Sequence, residues 1–393
     1  MKNFLTIKQM ALLVLAFLFV SGTAMSQEKM TKEEQAVKEL EQIMTRTNAV
    51  GLAVAVVEDG KIVFVKSLGK KDIEKNIDLV PTDVFRIASI SKSFATTALM
   101  QLVEKKKLSL DMDVSDLIGF KLRNPKYPDI IITVKMLLSH TSSLCDSLGY
   151  FDLDVVNPDK NPGYAKAYHS YYAPGEKYDY CNLGFNIIGS IVEKLSGVRF
   201  DNYVRDNIIR PLGLYANHNV DSLDASIFVP LYSKDATGKF VSDPSAYRSR
   251  AVDIANGYKM GYSTPLFSPT GGIKISAQDL AKYMIMHMNY GKSGGVRIIS
   301  KKSSRLMQTP VIATSETSKY CMALLHTYNL IPGEDMVGHT GSAYGLYSAM
   351  FFEPREKFGV VMMTNGCTPV YKDGFTVIQG DVIRAMYNIF VKD

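Results

Sequence analysis

The sequence predicts an α/β fold of the α+β kind. One antiparallel sheet is built from both chain ends and flanked by helices, and an all-helical domain is inserted between them. Three observations predict it. The first strands stand near the start ("GLAVAVV-EDGK-IVFVKSLG"), the last near the end ("LYSAMFFEP", "FGVVMMTN"), and the segment between carries helical periodicity. Strands at both ends of a chain bury their apolar faces most economically by joining one sheet under shared helices. The expected divisions are 1–26 as a signal peptide, 27–80 with 270–393 as the sheet domain, and 81–269 as the mainly helical insert.

The elements follow in order. Lys2 and Lys8 precede an apolar run of 11 residues, Met10 to Val20, and then "SGTAMSQ". A basic start, a short apolar core and small residues before a cleavage point predict secretion, to the periplasm or the medium. A span needs about 20 apolar residues, so no stable membrane span is expected after the leader is removed. From Thr31 to Asn48, Ala36, Val37, Leu40, Ile43 and Met44 fall on one helical face. The Asp-Gly pair inside the next alternating run predicts a tight hairpin. From Ser91 to Lys106, Phe94, Ala98 and Leu102 recur every fourth residue, as in a largely buried helix. Further helices are expected over Val134 to His140, Leu183 to Leu195 and Phe200 to Arg210, the last stopped by "PLGL". Residues 215–268 read as mostly irregular. Ser276 is a candidate N-cap, with Asp279 placed as the acid of a capping box. "CMALLHTYN" and the two strands joined by "REK" follow, and a helix over Phe375 to Val391 closes the chain.

Composition excludes several classes. The net charge of +6 is spread along the chain without a long basic run, which argues against nucleic acid. Cys145, Cys181, Cys321 and Cys367 and the six histidines show no metal-ligand spacing. No metal and no cofactor are expected.

Chemistry is suggested by "FRIASISKSF". Ser89 stands where an extended segment enters a helix, and Lys92 returns one turn later to the same face. A neutral lysine can take the serine proton, and burial lowers a lysine's pKa. An N-cap serine beside a surface lysine would give the same spacing. Two other Ser-x-x-Lys matches are weaker. Ser26 to Lys29 falls at the leader boundary, and Ser67 to Lys70 lies on a strand with side chains facing apart. Tyr180-Cys181-Asn182 precedes a helix, where a phenol can relay a proton and an amide can bind a substrate carbonyl. His339-Thr340-Gly341 precedes two strands, where a small residue lets substrate lie against an edge and the next N–H can meet an oxyanion. A solvated strand-end histidine is the plainer reading of His339. "GKSGG" resembles a nucleophile elbow, but the helix precedes it and it reads as a turn. Tyr150, Tyr164, Tyr168, Tyr171, Tyr172, Tyr178 and Tyr180 crowd one stretch. They either pack a long loop or wall a site for a large apolar substrate.

Ser89-x-x-Lys92, Tyr180-x-Asn182 and His339-Thr340-Gly341, with "LLSHTSSL" and "PTGGIKISAQDLAKYM", resemble the penicillin-recognising serine enzymes. The chain is similar to the branch holding class C β-lactamases, D-Ala-D-Ala carboxypeptidases, D-aminopeptidases and esterases, over about residues 35–391. The resemblance implies the β-lactamase/transpeptidase fold and an exported serine hydrolase. By it, Ser89 is the acylated nucleophile, and Lys92 and Tyr180 share proton transfer. Asn182 holds the acyl side, the N–H groups of Ser89 and Ser342 form the oxyanion hole, and His339 and Thr340 face the leaving group. Expected partners are a small-molecule or peptide substrate, such as a peptidoglycan stem peptide or a large apolar acyl acceptor.

Three departures bear on this. His339 stands where many relatives have Lys, which weakens the β-lactamase alternative because histidine is mostly neutral at pH 7. Cys181 replaces the usual Ser, and Ser143 the usual Gly. Acyl transfer to an alcohol or amine and a non-catalytic penicillin-binding sensor are the remaining alternatives.

Overall fold

The computed structural model describes residues 30–392. The expected leader and the Ser26 to Lys29 pair lie outside the described residues. Nine strands form the main sheet: β1 (Gly51–Glu58), β2 (Lys61–Asp72), β3 (Ile77–Asp78), β4 (Ile312–Ala313), β5 (Ser318–Tyr320), β6 (Leu325–Thr327), β7 (Met336–Ala343), β8 (Leu346–Glu353) and β9 (Phe358–Thr364). Their order is β4-β5-β6-β7-β8-β9-β1-β2-β3, antiparallel throughout. The two chain ends meet at the β9–β1 pair, from Leu52 opposite Thr364 to Val57 opposite Gly359. The predicted Asp-Gly turn closes β1 onto β2, with Asp59 and Gly60 both left-handed at φ 50° and 73°. That backbone matches the twist of the paired strands.

Both faces of the sheet are covered. Alternation along β1 sends Leu52, Val54 and Val56 to one apolar cluster and Ala53, Ala55 and Val57 to the other. On the outer face lie α1 (Lys32–Thr47) and the last helix, Val377–Phe390. Ala36, Leu40 and Ile43 of α1 are fully buried, and Val37 and Met44 are partly buried beside them. Each such leucine or isoleucine contributes roughly 1.5–3 kcal/mol by leaving water. Thr31 caps α1 in a capping box with Glu34, and Asn48 ends it in the left-handed conformation.

The inner cluster is continuous with the helical segment. Ala53, Val361 and Met363 of the sheet belong to the same buried group as Phe94, Ala98, Phe185 and Ile188. Those last four sit on α2 (Ser91–Glu104) and α3 (Asn182–Ser196). The remaining expected helices are shorter. Val134–Leu138 makes one turn, and Phe200–Val204 passes into a π-helical turn over Arg205–Ile209. Residues 215–268 hold a small ribbon, Tyr232–Lys234 with Phe240–Ser242, and a short helix, Ala251–Ala255.

Ser276 caps α4 (Ala277–Met288) by accepting from Asp279 N–H at 3.2 Å. The capping box is not completed. The Asp279 carboxylate instead takes Tyr215 N–H at 2.8 Å and Lys282 Nζ at 2.7 Å. "GKSGG" is a hairpin turn between Lys292–Ser293 and Val296–Arg297, with both central glycines left-handed.

Candidate active site

The nucleophile segment is clamped on both sides. Phe85–Arg86 pairs with Lys274–Ile275, and a 3-10 turn over Ala88–Ile90 leads into α2. From Asp83 to Leu102 every residue is buried except Ser89. Ala88 is left-handed at φ 50°, a conformation costing an L-residue roughly 1–2 kcal/mol, and it turns Ser89 outward. The preceding residue is held by Ile87 N–H to Ile273 O at 3.0 Å and by Ser348 Oγ to Ile87 O at 3.1 Å.

Gly341 of β7 packs against the same carbonyl. A Cβ there would meet Ile87 O at 2.2 Å and Ser348 Oγ at 2.4 Å. Packing therefore requires this glycine: it makes room for the chain that carries Ser89.

Lys92 Nζ lies 3.0 Å from Ser89 Oγ, 2.8 Å from Asn182 Oδ1 and 3.1 Å from Thr270 O. The side chain is fully buried. Burial pulls its pKa from 10.5 to about 7, with Asp146 and Cys181 opposing. A neutral amine has two N–H donors and one lone pair. Asn182 Oδ1 and Thr270 O can only accept, so they take both donors and the lone pair is left for the Ser89 hydroxyl. Tyr180 completes the group. Its phenol is pushed above its ordinary value by burial, with a hydrogen bond to Ser89 pulling the other way. Its ring centre lies 4.7 Å from Lys92 Nζ, close enough to favour the ammonium when it forms.

Asn182 is occupied by the protein itself. Its Oδ1 also accepts from Thr270 Oγ1 at 2.8 Å, and its Nδ2 donates to Asp146 Oδ2 at 2.9 Å. Asp146 further accepts the N–H groups of Asn182 and Leu183 at 2.9 and 3.0 Å, where the first turn of α3 favours an anion. The expected grip of Asn182 on substrate is thus reduced to one remaining Nδ2 hydrogen, and its larger work is orienting Lys92. Cys181 is core-facing, as expected, and its thiol meets Asp146 Oδ1 at 3.3 Å.

His339 is not a solvated strand-end residue. It is 6% exposed and belongs to a directed chain of hydrogen bonds. Cys181 N–H donates to His140 Nδ1 at 3.0 Å, which places the His140 proton on Nε2. That proton faces Tyr320 Oη at 3.2 Å, and the Tyr320 hydroxyl faces His339 Nε2 at 3.0 Å. His339 Nδ1–H then meets Thr340 O at 2.6 Å. An amide N–H can only donate, which makes His140 a neutral imidazole, and a carbonyl can only accept, which puts a proton on His339 Nδ1. Burial, assisted by Lys92, lowers His339 to about 4 and lowers His140 as well. Both ring nitrogens of His339 have partners within the protein, and the residue lines the cleft that holds Ser89. Thr340 and Ser342 lie beyond the reach of β6, which pairs β7 only over Met336–Gly338. Both line the same cleft as Ser89.

The family described as Beta-lactamase matches residues 36–377. The chain belongs to this beta-lactamase family of serine hydrolases. "Penicillin-binding protein 4" of Amycolatopsis lactamdurans is 26% identical over 354 residues, covering 86% of this chain and 87% of that one. The structure of an octameric penicillin-binding protein homologue from Pyrococcus abyssi superposes with TM-score 0.69 at 28% identity, over 90% of this chain and 76% of that one. EstCE1, titled a hydrolase with promiscuous acyltransferase activity, shares the fold at TM-score 0.70 and 18% identity, over 90% of this chain and 99% of the other.

In this beta-lactamase-family chain the cleft measures about 770 Å3. Of the seven crowded tyrosines only Tyr150 and Tyr180 line it. Most of the others pack the loop: Tyr164 on Tyr168, Tyr172 on His169, Tyr178 on Tyr320. The aromatic rim is Tyr150 of that cluster together with Phe151, Tyr344 and Tyr371. Sequence reasoning missed Asp146, Thr270 and Tyr320, which hold Asn182, Lys92 and His339 in place. Thr270 sat inside a quoted phrase, "PTGGIKIS", and its chain position beside a glycine pair was the available signal. All four cysteines are unpaired. Among the described residues no group of side chains is arranged to hold a metal ion, and no helix is long and apolar enough to cross a membrane.

Proposed function

We propose that the chain is an exported serine hydrolase that works through a Ser89 acyl-enzyme on ester or amide substrates, of the esterase or D-Ala peptidase type. The observation that carries this is Lys92, whose two N–H donors are spent on Asn182 Oδ1 and Thr270 O and whose lone pair faces Ser89 Oγ. Ser89 Oγ attacks the substrate carbonyl as its proton passes to Lys92. The N–H groups of Ser89 and Ser342 are the candidate donors to the oxyanion. The bond to the leaving group then breaks, and that group takes a proton from Lys92 through the Tyr180 phenol. Water resolves the ester by the reverse sequence. The leader-like order of residues 1–26 supports export.

Two observations rank the alternatives. A neutral, fully engaged His339 supplies no cation for a β-lactam carboxylate, which disfavours the β-lactamase reading. The aromatic rim supports a second reading, acyl transfer to an aromatic or apolar alcohol, since such an acceptor would compete with water by stacking there. The test is turnover of an uncharged reporter ester with intact-mass detection of the protein. Wild type should turn over and show a transient mass gain equal to the acyl group, and Ser89→Ala should show neither. A stable adduct without turnover would instead identify a sensor. Product ester formed with added alcohol faster than acid is released would establish transfer.

A further inference from the structure

Arg86 is a buried cation without a carboxylate. It is 6% exposed. Its Nε donates to Gly271 O at 2.9 Å, and its terminal nitrogens reach Ala246 O and Ser268 Oγ, each at 3.4 Å. These contacts use three of its five N–H groups. Burial disfavours its charge, Arg250 adds to that, and among the described residues no acid forms an ion pair with it.

The guanidinium borders two spaces. One is the cleft with Ser89, and the other is an annex of about 380 Å3. Phe151 and Tyr344 also border both, so the spaces meet at the same three side chains. Arg248 and Arg250 line the annex, and they share a single acid, Asp253, at 2.7 and 3.5 Å. Behind them Lys274 is buried, its ammonium on His218 O at 2.6 Å, and its charge is disfavoured by burial, Arg86 and Arg250, with Asp221 opposing. A buried charge is costly unless paired; here four cations are offset by Asp253, Asp221 and the face of Tyr344, 4.9 Å from the Arg86 guanidinium carbon, and among the described residues no carboxylate reaches Arg86 itself. A planar donor fork with free N–H groups fits a carboxylate or phosphate.

We propose that the annex is an anion subsite that takes a carboxylate or phosphate carried by the substrate whose carbonyl reaches Ser89. This rests on the acyl-enzyme reading above. It assigns the substrate's charge to a site beside Tyr344, just past the end of β7, rather than to His339, which has no charge to offer.

The test uses homologous series of p-nitrophenyl or alkyl esters carrying a terminal carboxylate, phosphonate or carboxamide in the acyl or the alcohol part. In wild type, kcat/KM for an anionic member should exceed its carboxamide partner by about tenfold or more, the size of one charge-assisted hydrogen bond. The carboxylate and phosphonate arms tell which anion is preferred. The double variant R248Q/R250Q should cut that anionic-to-neutral ratio about tenfold. Because the ratio is internal to each protein, loss of folded material cancels. No anionic preference in any wild-type series, or a ratio unchanged in the variant, overturns the subsite. Absence of a Ser89 adduct with every ester, carboxamides included, would overturn the acyl-enzyme reading and the subsite with it.

Discussion

Lys92 should set the pH at which this hydrolase works. Burial brings its pKa from 10.5 to about 7, a change worth on the order of 5 kcal/mol. At pH 7 about half of the buried amine is neutral, against roughly one in three thousand for an ordinary lysine. With an uncharged ester, kcat/KM should therefore fall about tenfold per pH unit below about 7 and level off above it. One ionisation should suffice, because His339 is held near 4 and Tyr180 is pushed above its ordinary value. Asp146 raises Lys92, so Asp146→Asn should move this acid limb to lower pH.

The same shift has a stability consequence. Between about 7 and 10.5 the unfolded chain binds a proton that native Lys92 lacks, so stability rises with pH across that window. It is lost as pH falls to about 7 and is flat below. Urea unfolding at about pH 7 and about pH 9 should differ by roughly 2–3 kcal/mol from this group. A flat rate profile between about pH 5 and 9, a limb near 4, or an upward shift in Asp146→Asn would refute the reasoning.

Two substitutions test the parts that hold the site. Tyr320→Phe leaves His140 Nε2–H without an acceptor and His339 Nε2 without a donor. Chemical denaturation should show a loss of about 1–3 kcal/mol, and a loss below about 0.5 kcal/mol would mean the chain of bonds carries no weight. Gly341→Ala places a methyl 2.2 Å from Ile87 O, two residues before the nucleophile. Ester kcat should drop on the order of a hundredfold with a smaller change in KM, and a drop of less than about threefold would separate β7 from the positioning of Ser89.

The sheet was legible because its signals are local. An Asp-Gly pair between alternating runs specifies a hairpin by itself, and the apolar stripe of α1 specifies its buried face. Ser89 and Lys92 were legible for the same reason, being one turn apart on one segment. The groups that make Lys92 a base were not. Asp146 and Thr270 come from loops remote in sequence, and nothing in "SLCDSLGY" shows that its acid will cap a helix beginning at Asn182. The Ser143 departure shows how a local cue can mislead. Its left-handed φ of 61° explains why glycine suits that position, yet the serine keeps it and accepts from Asn124 Nδ2 at 2.9 Å.

His339 shows the deeper limit. Its residue type correctly implies a neutral group, but neutrality read from sequence says only that a charge is missing from β7. Coordinates show where the protein keeps charge instead, on Arg86 three residues before Ser89 and on the arginines beyond it. A charged substrate would then lie with its anion toward Arg86 and the turn that follows β7. Ser89 and Lys92 would supply the chemistry, and the choice of substrate would come from the arginines around Phe151 and Tyr344.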